Sequence, residues 1–301
     1  MSNNQNFSDN STNGDRLTST VATKVSFLLF PCMVIIGVIC NSLIFVIMRR
    51  RRMSHLSTCY YMGILAIADS SVLLLGLSVM WLYLVKPEWS LLLQSNYACK
   101  FLSLVFYSVS DTSVWLVCMM SADRCIAVAR PLHASSICTV RRARLSVVTL
   151  LVCMILINIH FLFTHHLSDH NCTSHAHYEF FIRHLWPWID AAVYSAIPFI
   201  FLLTSNSIIV HHLFQARRST CILFVHRTRS SQNKLSTSMS RKLTTMLLAV
   251  TVFFLLTSFP MVCLQIYTNL TYPNNNFIAQ FYLKPICETL QYSNHCVSSM
   301  F

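Results

Sequence analysis

The sequence predicts an all-α membrane protein, a seven-transmembrane helix bundle with its N-terminus extracellular. Three observations carry that prediction. The 301 residues are 54% hydrophobic and only 11% charged, with a mean hydropathy of +0.55, whereas about a quarter of the residues in soluble domains are charged. Apolar runs long enough to cross about 30 Å of hydrocarbon recur seven times, near residues 25–48, 58–85, 98–122, 145–164, 187–214, 243–268 and 278–301. With the N-terminus outside, 16 of the 22 Lys and Arg residues fall on the inner side and 6 on the outer, the bias that sets membrane topology. Each run is read as a helix, because hydrocarbon offers no partner for backbone polar groups.

The elements follow in order. Residues 1–23 are rich in Asn, Ser and Thr and read as a disordered extracellular tail; residues 24–301 form the membrane domain. The first run is too long for a cleavable signal and ends in Arg49-Arg50-Arg51-Arg52, a stop-transfer pattern. It carries Asn41 at mid-membrane depth, and the second run carries Asp69 there. An uncompensated charge at that depth costs at least about 2.5–3.5 kcal/mol, so a functional reason is the default. The third run opens at Cys99 and ends in Asp123-Arg124-Cys125, 24 residues later, with Pro131-Leu132-His133 beyond. Pro198 breaks the fifth run and Pro260 kinks the sixth. The chain ends at Phe301, inside the seventh run, which reads as a truncation within helix seven. The net charge of +12 follows from topology and favours the anionic inner leaflet; it is no nucleic-acid footprint.

These motifs resemble those of the rhodopsin-like G-protein-coupled receptors. Gly37-x-x-x-Asn41, Leu65-Ala66-x-x-Asp69 and the Cys99 to Asp123-Arg124 spacing match the family, with Cys125 where it usually has Tyr. The resemblance implies that Asp123, Arg124 and Cys125 couple to a heterotrimeric G protein. It also implies a sodium pocket at Asp69, completed by Ser113, Asn294 and Ser298. The alternative is a neutral Asp69 bonded to Asn41 and Asn294. Several positions depart from the family: Asn206 for a helix-five Tyr, Ser258 for the helix-six Trp, and Asn294-His295-Cys296-Val297-Ser298-Ser299 for Asn-Ser-x-x-Asn-Pro. Together with Leu290-Gln291-Tyr292-Ser293 they resemble invertebrate FMRFamide-receptor-like neuropeptide receptors.

That likeness implies an extracellular peptide as ligand. Amine receptors of the family carry an Asp where this chain has Phe106, and opsins a Lys where it has Tyr292. Of the acids in the outer half, Asp190 and Glu288 are expected to meet a cationic group of the ligand, with Phe106, Gln265 and Tyr292 lining the same cavity. Lys284 lies one turn from Glu288 and can pair with it. Asp111 is deeper and reads as a structural acceptor for Tyr194. Cys99 and the second-loop Cys172 both face an oxidising compartment, so they can pair.

Sequons at Asn6, Asn10, Asn171 and Asn269 all fall outside and are expected glycosylation sites. His165, His166, His170, His175 and His177 lie beside Asp169, but their spacing fits no defined metal site. No nucleophile elbow, metalloprotease helix or phosphate loop occurs, so no enzyme is expected. A small transporter or channel is the competing reading, on the strength of the intramembrane acids. The odd helix count and only four glycines count against it.

Overall fold

The computed structural model describes residues 3–51, 53–168, 171–223, 231–271 and 283–297. Seven helices lie in the expected order. They are α1 (Asn3–Met48), α2 (Ser57–Val85), α3 (Asn96–Ala129), α4 (Val140–Asn158, then a last turn Phe161–Thr164), α5 (Phe181 through Leu223), α6 (Ser231–Thr271) and α7 (Lys284–Val297). Six of them are long and apolar enough to cross a membrane among the described residues; α7 is the seventh member of the bundle.

The helices pack as a ring around α3, which contacts α2, α4 and α5, while α7 closes the ring against α1 and α6. The largest core cluster is where Met62, Leu65, Val114, Leu116, Met120, Leu150, Met154, Leu202 and Phe254 converge, with smaller clusters around Leu73 and Leu77, around Phe161 and Trp186, and around Leu264 and Cys287. Leu28, Ile39, Leu145, Leu156, Ile200 and Leu256 face outward. That inversion of the soluble pattern is what lipid as solvent demands.

One expectation is revised, at Pro198. α1 begins at Asn3, ahead of its apolar segment. Once nucleated by the apolar segment Val25–Met48, a helix propagates with one hydrogen bond per added residue, and Asn, Ser and Thr oppose this by only tenths of a kcal/mol each. Pro198 does not break α5. A π-helical stretch, Ala191–Ala196, lies just before Ile197, and its wider turn accommodates the missing N–H and the ring. Pro260 likewise sits inside a continuous α6.

Outside the membrane, His165–Ser168 (β1) and Asn171–Ser174 (β2) form an antiparallel hairpin with His166 opposite Thr173 and Leu167 opposite Cys172. A disulfide from Cys172 to Cys99, with Cα atoms 5.6 Å apart, fixes the hairpin to the top of α3. Leu167 N–H donates to Asn96 Oδ1 at 3.1 Å, a second tie one turn from the disulfide. Ser95 caps α3 by accepting from Ala98 N–H at 3.1 Å.

Candidate functional site

In the outer half of the bundle the expected residues come together in two pairs. Phe106 on α3 and Tyr292 on α7 both press on Gly76 of α2. A Cβ there would lie 2.5 Å from Tyr292 Oη and 2.8 Å from Phe106 Cε2. Only glycine admits this approach, and it sits in a π-helical stretch, Leu73–Leu77, a local irregularity common at functional positions. Between α5 and α6, Gln265 Nε2 donates to Asp190 Oδ2 and to the Pro187 carbonyl, both at 3.3 Å. The partner of Asp190 is thus a neutral amide at the long end of hydrogen bonding. Arg183 is engaged by Glu179 at 2.9 Å. Glu288 lies one turn above Tyr292 on α7 and pairs with Lys284 at 3.8 Å, with the lysine half exposed. Such solvent-facing pairs are weak.

Asp111 takes no part in these pairs. Its Oδ2 accepts from Asn158 Nδ2 at 2.7 Å, and the same amide donates to the Met154 carbonyl at 3.0 Å. The expected donor, Tyr194, is replaced by α4. Both groups are buried, so the pair fastens α3 to α4.

At mid-depth Asp69 is buried. Its Oδ1 accepts from Ser113 Oγ at 2.5 Å and from His295 Nδ1 at 2.7 Å. Asn41 Nδ2 donates to the His295 carbonyl at 3.0 Å. Asn294, expected beside Asp69, turns instead to α6. It accepts from Thr257 and donates through Nδ2 to Ser258 Oγ at 3.1 Å. The position where the family carries tryptophan is therefore the centre of a polar link between α6 and α7.

At the inner end Asp123 accepts four donors. Ser57 Oγ reaches Oδ1 at 2.8 Å, Thr58 Oγ1 reaches Oδ2 at 2.7 Å, and Arg124 pairs with Oδ2 at 2.8 Å. Cys138 Sγ also donates to the Asp123 carbonyl at 3.6 Å. Burial, assisted by the Asp123 charge, pushes the Cys138 thiol up to about 11. α6 contains no Asp or Glu, so no helix-six carboxylate meets Arg124. α5 and α6 are joined by neutral groups: Asn206 Nδ2 donates to Thr251 Oγ1 at 2.7 Å, while Ser121 Oγ on α3 donates to Asn206 Oδ1 at 3.4 Å. Cys125 is half-buried beside this cluster.

Several of these residues carry no sign of their role in the sequence. Asn158, Thr251 and Thr257 are ordinary helix residues until their partners are seen. His295 and Ser258 were visible as departures, though not as a bond to Asp69 and a link to α7. Among the described residues no group of three His, Cys, Asp or Glu could hold a metal; Asp169 and His170 lie outside the described residues. So does Ser298, and so do the side chains of Asn6, Asn10 and Asn269. Asn171 is exposed on β2.

With this geometry in place the comparisons are direct. Residues 40–298 match the 7 transmembrane receptor (rhodopsin family), and the chain belongs to that family. It is a multi-pass protein of the plasma membrane. It is 27% identical over 140 residues to muscarinic acetylcholine receptor M3 of Rattus norvegicus, covering 46% of this chain and 23% of that receptor. It is 33% identical over 105 residues to neuromedin-U receptor 1 of Mus musculus, covering 35% of this chain and 24% of that one; the Homo sapiens protein is 34% identical over the same length. The matched segments thus span about a quarter of the length of these relatives.

Proposed function

We propose that this chain is a peptide-activated receptor that signals to a heterotrimeric G protein. The observation that carries the reading is Asp190, a half-buried carboxylate in the outer half of α5 that, among the described residues, is held only by the long amide contact from Gln265. Such a group is under-compensated where water is scarce, and a guanidinium would offer it two charge-assisted bonds. Glu288 is the second candidate. The neuromedin-U receptor is a peptide receptor, and its likeness to this chain favours the same class. The muscarinic likeness would favour an amine, but Phe106 stands where the amine-binding carboxylate would have to be. The finer assignment is a neuropeptide receptor of the FMRFamide-receptor-like kind, glycosylated at Asn6, Asn10, Asn171 and Asn269.

In this reading agonist binding draws α5, α6 and α7 together at their outer ends. The neutral links Asn206–Thr251 and Thr257–Asn294–Ser258 then give way, α6 swings outward, and Arg124 meets the G protein, a shift between two packings already accessible to the bundle.

The test is a screen of amidated neuropeptides followed by Asp190→Asn. Breaking a buried charge pair from one side costs about 3–5 kcal/mol, so an arginine-containing agonist should lose roughly 100-fold or more in potency with surface expression intact. An analogue with citrulline for arginine should be nearly indifferent. Equal losses for both ligands would make Asp190 structural. Agonist binding insensitive to guanine nucleotides would favour the transporter reading instead.

A further inference from the structure

We propose that the imidazole of His295 takes the place of the sodium ion at Asp69, so that this receptor holds its buried mid-membrane acid with a fixed side chain and binds no sodium there. A carboxylate only accepts, so the His295 Nδ1 at 2.7 Å from Oδ1 presents an N–H to it. The positive end of that bond points along the direction from which a cation would approach. Ser113 directs its proton into the same oxygen at 2.5 Å and is itself 3.4 Å from His295 Nδ1. The hydroxyl and the imidazole thus converge on one carboxylate oxygen.

Among the described residues the other oxygens that a cation would need are committed elsewhere. Asn294 spends its oxygen on Thr257 and its amide on Ser258. Asn41 is held by the His295 carbonyl at 3.0 Å, and among the described residues its Oδ1 is a buried acceptor with no hydrogen-bond partner. One neutral amide oxygen is a poor shell for a hard cation, which takes several oxygen ligands. Packing seals the site: a Cβ on Gly37 of α1 would lie 3.0 Å from Cys296 Sγ and 2.4 Å from Leu73 Cδ1, so α7 seats His295 against α1 and α2 with little slack.

The consequence concerns regulation. A bound ion can leave and let the helices close; an imidazole belonging to α7 can leave Asp69 only if α7 moves. The resting state should therefore be insensitive to sodium.

The experiment uses the purified full chain in lipid nanodiscs, with sodium, potassium and choline chlorides at matched concentration. Thermal unfolding of the wild type should give one midpoint in all three salts, and sodium-23 relaxation should equal that of Asp69→Asn. His295→Ser opens the carboxylate and should gain a sodium-specific, saturable rise in midpoint of about 2–4 °C, through binding to the folded state alone. A saturable sodium-specific rise in the wild type, absent in Asp69→Asn, would overturn the proposal. So would a folded His295→Ser that gains nothing. If His295→Ser does not fold, the wild-type sodium relaxation decides alone: equality with Asp69→Asn upholds the proposal and excess broadening ends it.

Discussion

The outer end and the inner two thirds of the bundle treat their carboxylates in opposite ways. Asp190 and Glu288 have one neutral amide at 3.3 Å and one half-exposed lysine at 3.8 Å. Asp69, Asp111 and Asp123 each accept from a buried neighbour at 2.5–2.8 Å. Buried charge is tolerated only when hydrogen-bonded, so the inner acids are fasteners between helices. The outer acids are left with accepting capacity that a ligand can fill. On the proposed reading, the poorly satisfied acids mark where a ligand would bind, and the satisfied ones mark the joints between helices.

The largest effect expected from breaking this contrast lies at the lid. Cys99→Ser removes the tie between α3 and the hairpin, a closure across 73 residues, and should cost about 2–4 kcal/mol. The thermal midpoint should fall, and on the proposed reading agonist affinity should fall with it, since the hairpin is tied to the outer end of α3. Peptide mapping of surface-expressed protein should show both thiols oxidised; free thiols at both would remove the lid from the account.

Asn158→Leu tests the inner side. It leaves the Asp111 carboxylate without its α4 donor, and hydrogen bonds to charged groups contribute about 1.5–3 kcal/mol. The midpoint should drop by several degrees while agonist potency, corrected for surface level, stays the same. A selective loss of potency would move Asp111 from fastener to ligand contact.

How far the sequence reached follows the same division. Helix count, orientation, the Cys99–Cys172 bond and the Asp123–Arg124 pair were legible because each depends on residues whose meaning is local or fixed by spacing: apolar length, basic loops, a thiol outside the membrane, an acid beside an arginine. The partners of Asp69 and Asp111 were not. Which of several polar residues meets a buried acid depends on helix rotation, and one position of rotation is about 100°, enough to exchange Asn294 for His295 or Tyr194 for Asn158. The β-hairpin was read as loop because four-residue strands rich in His and Ser carry no alternating apolar pattern. The uninterrupted α5 was missed because a π turn leaves no mark in composition.

A smaller effect is expected at the neutral joint between α5 and α6. Thr251→Val keeps shape but removes the oxygen that Asn206 reaches at 2.7 Å. A hydrogen bond of this kind contributes about 0.5–1.5 kcal/mol, which corresponds to a roughly two- to tenfold shift between resting and open packings. Because α6 offers Arg124 no carboxylate, this bond is a principal restraint on α6, and agonist-free signalling should rise. An unchanged basal signal at equal surface level would show that the resting state is held elsewhere, with the Thr257–Asn294–Ser258 link the next to cut.

The smallest effect concerns the lid and proton concentration. His165 sits at the start of β1 under Phe161, with ring centroids 4.8 Å apart. Burial, then the neighbouring His160, His166 and His175, lower its pKa to about 4 from the ordinary 6.5. His166 and His175 stack at 3.9 Å across the hairpin. The sign follows from proton binding: between pH 6.5 and about 4 the unfolded hairpin holds a proton on residue 165 that the folded one does not, so folding weakens as pH falls through that window and is at full strength above it. Because His165 is partly solvated, screening reduces the effect below what the shift alone implies. The disulfide keeps the hairpin from leaving altogether. The readout is amide hydrogen exchange in β1 and β2, which should accelerate from pH 6.5 towards 4.5 relative to α3 after correction for intrinsic exchange, and His165→Gln should flatten that dependence. Exchange in the hairpin that tracks α3 across the whole window would show that the histidines are no more than a solvated surface.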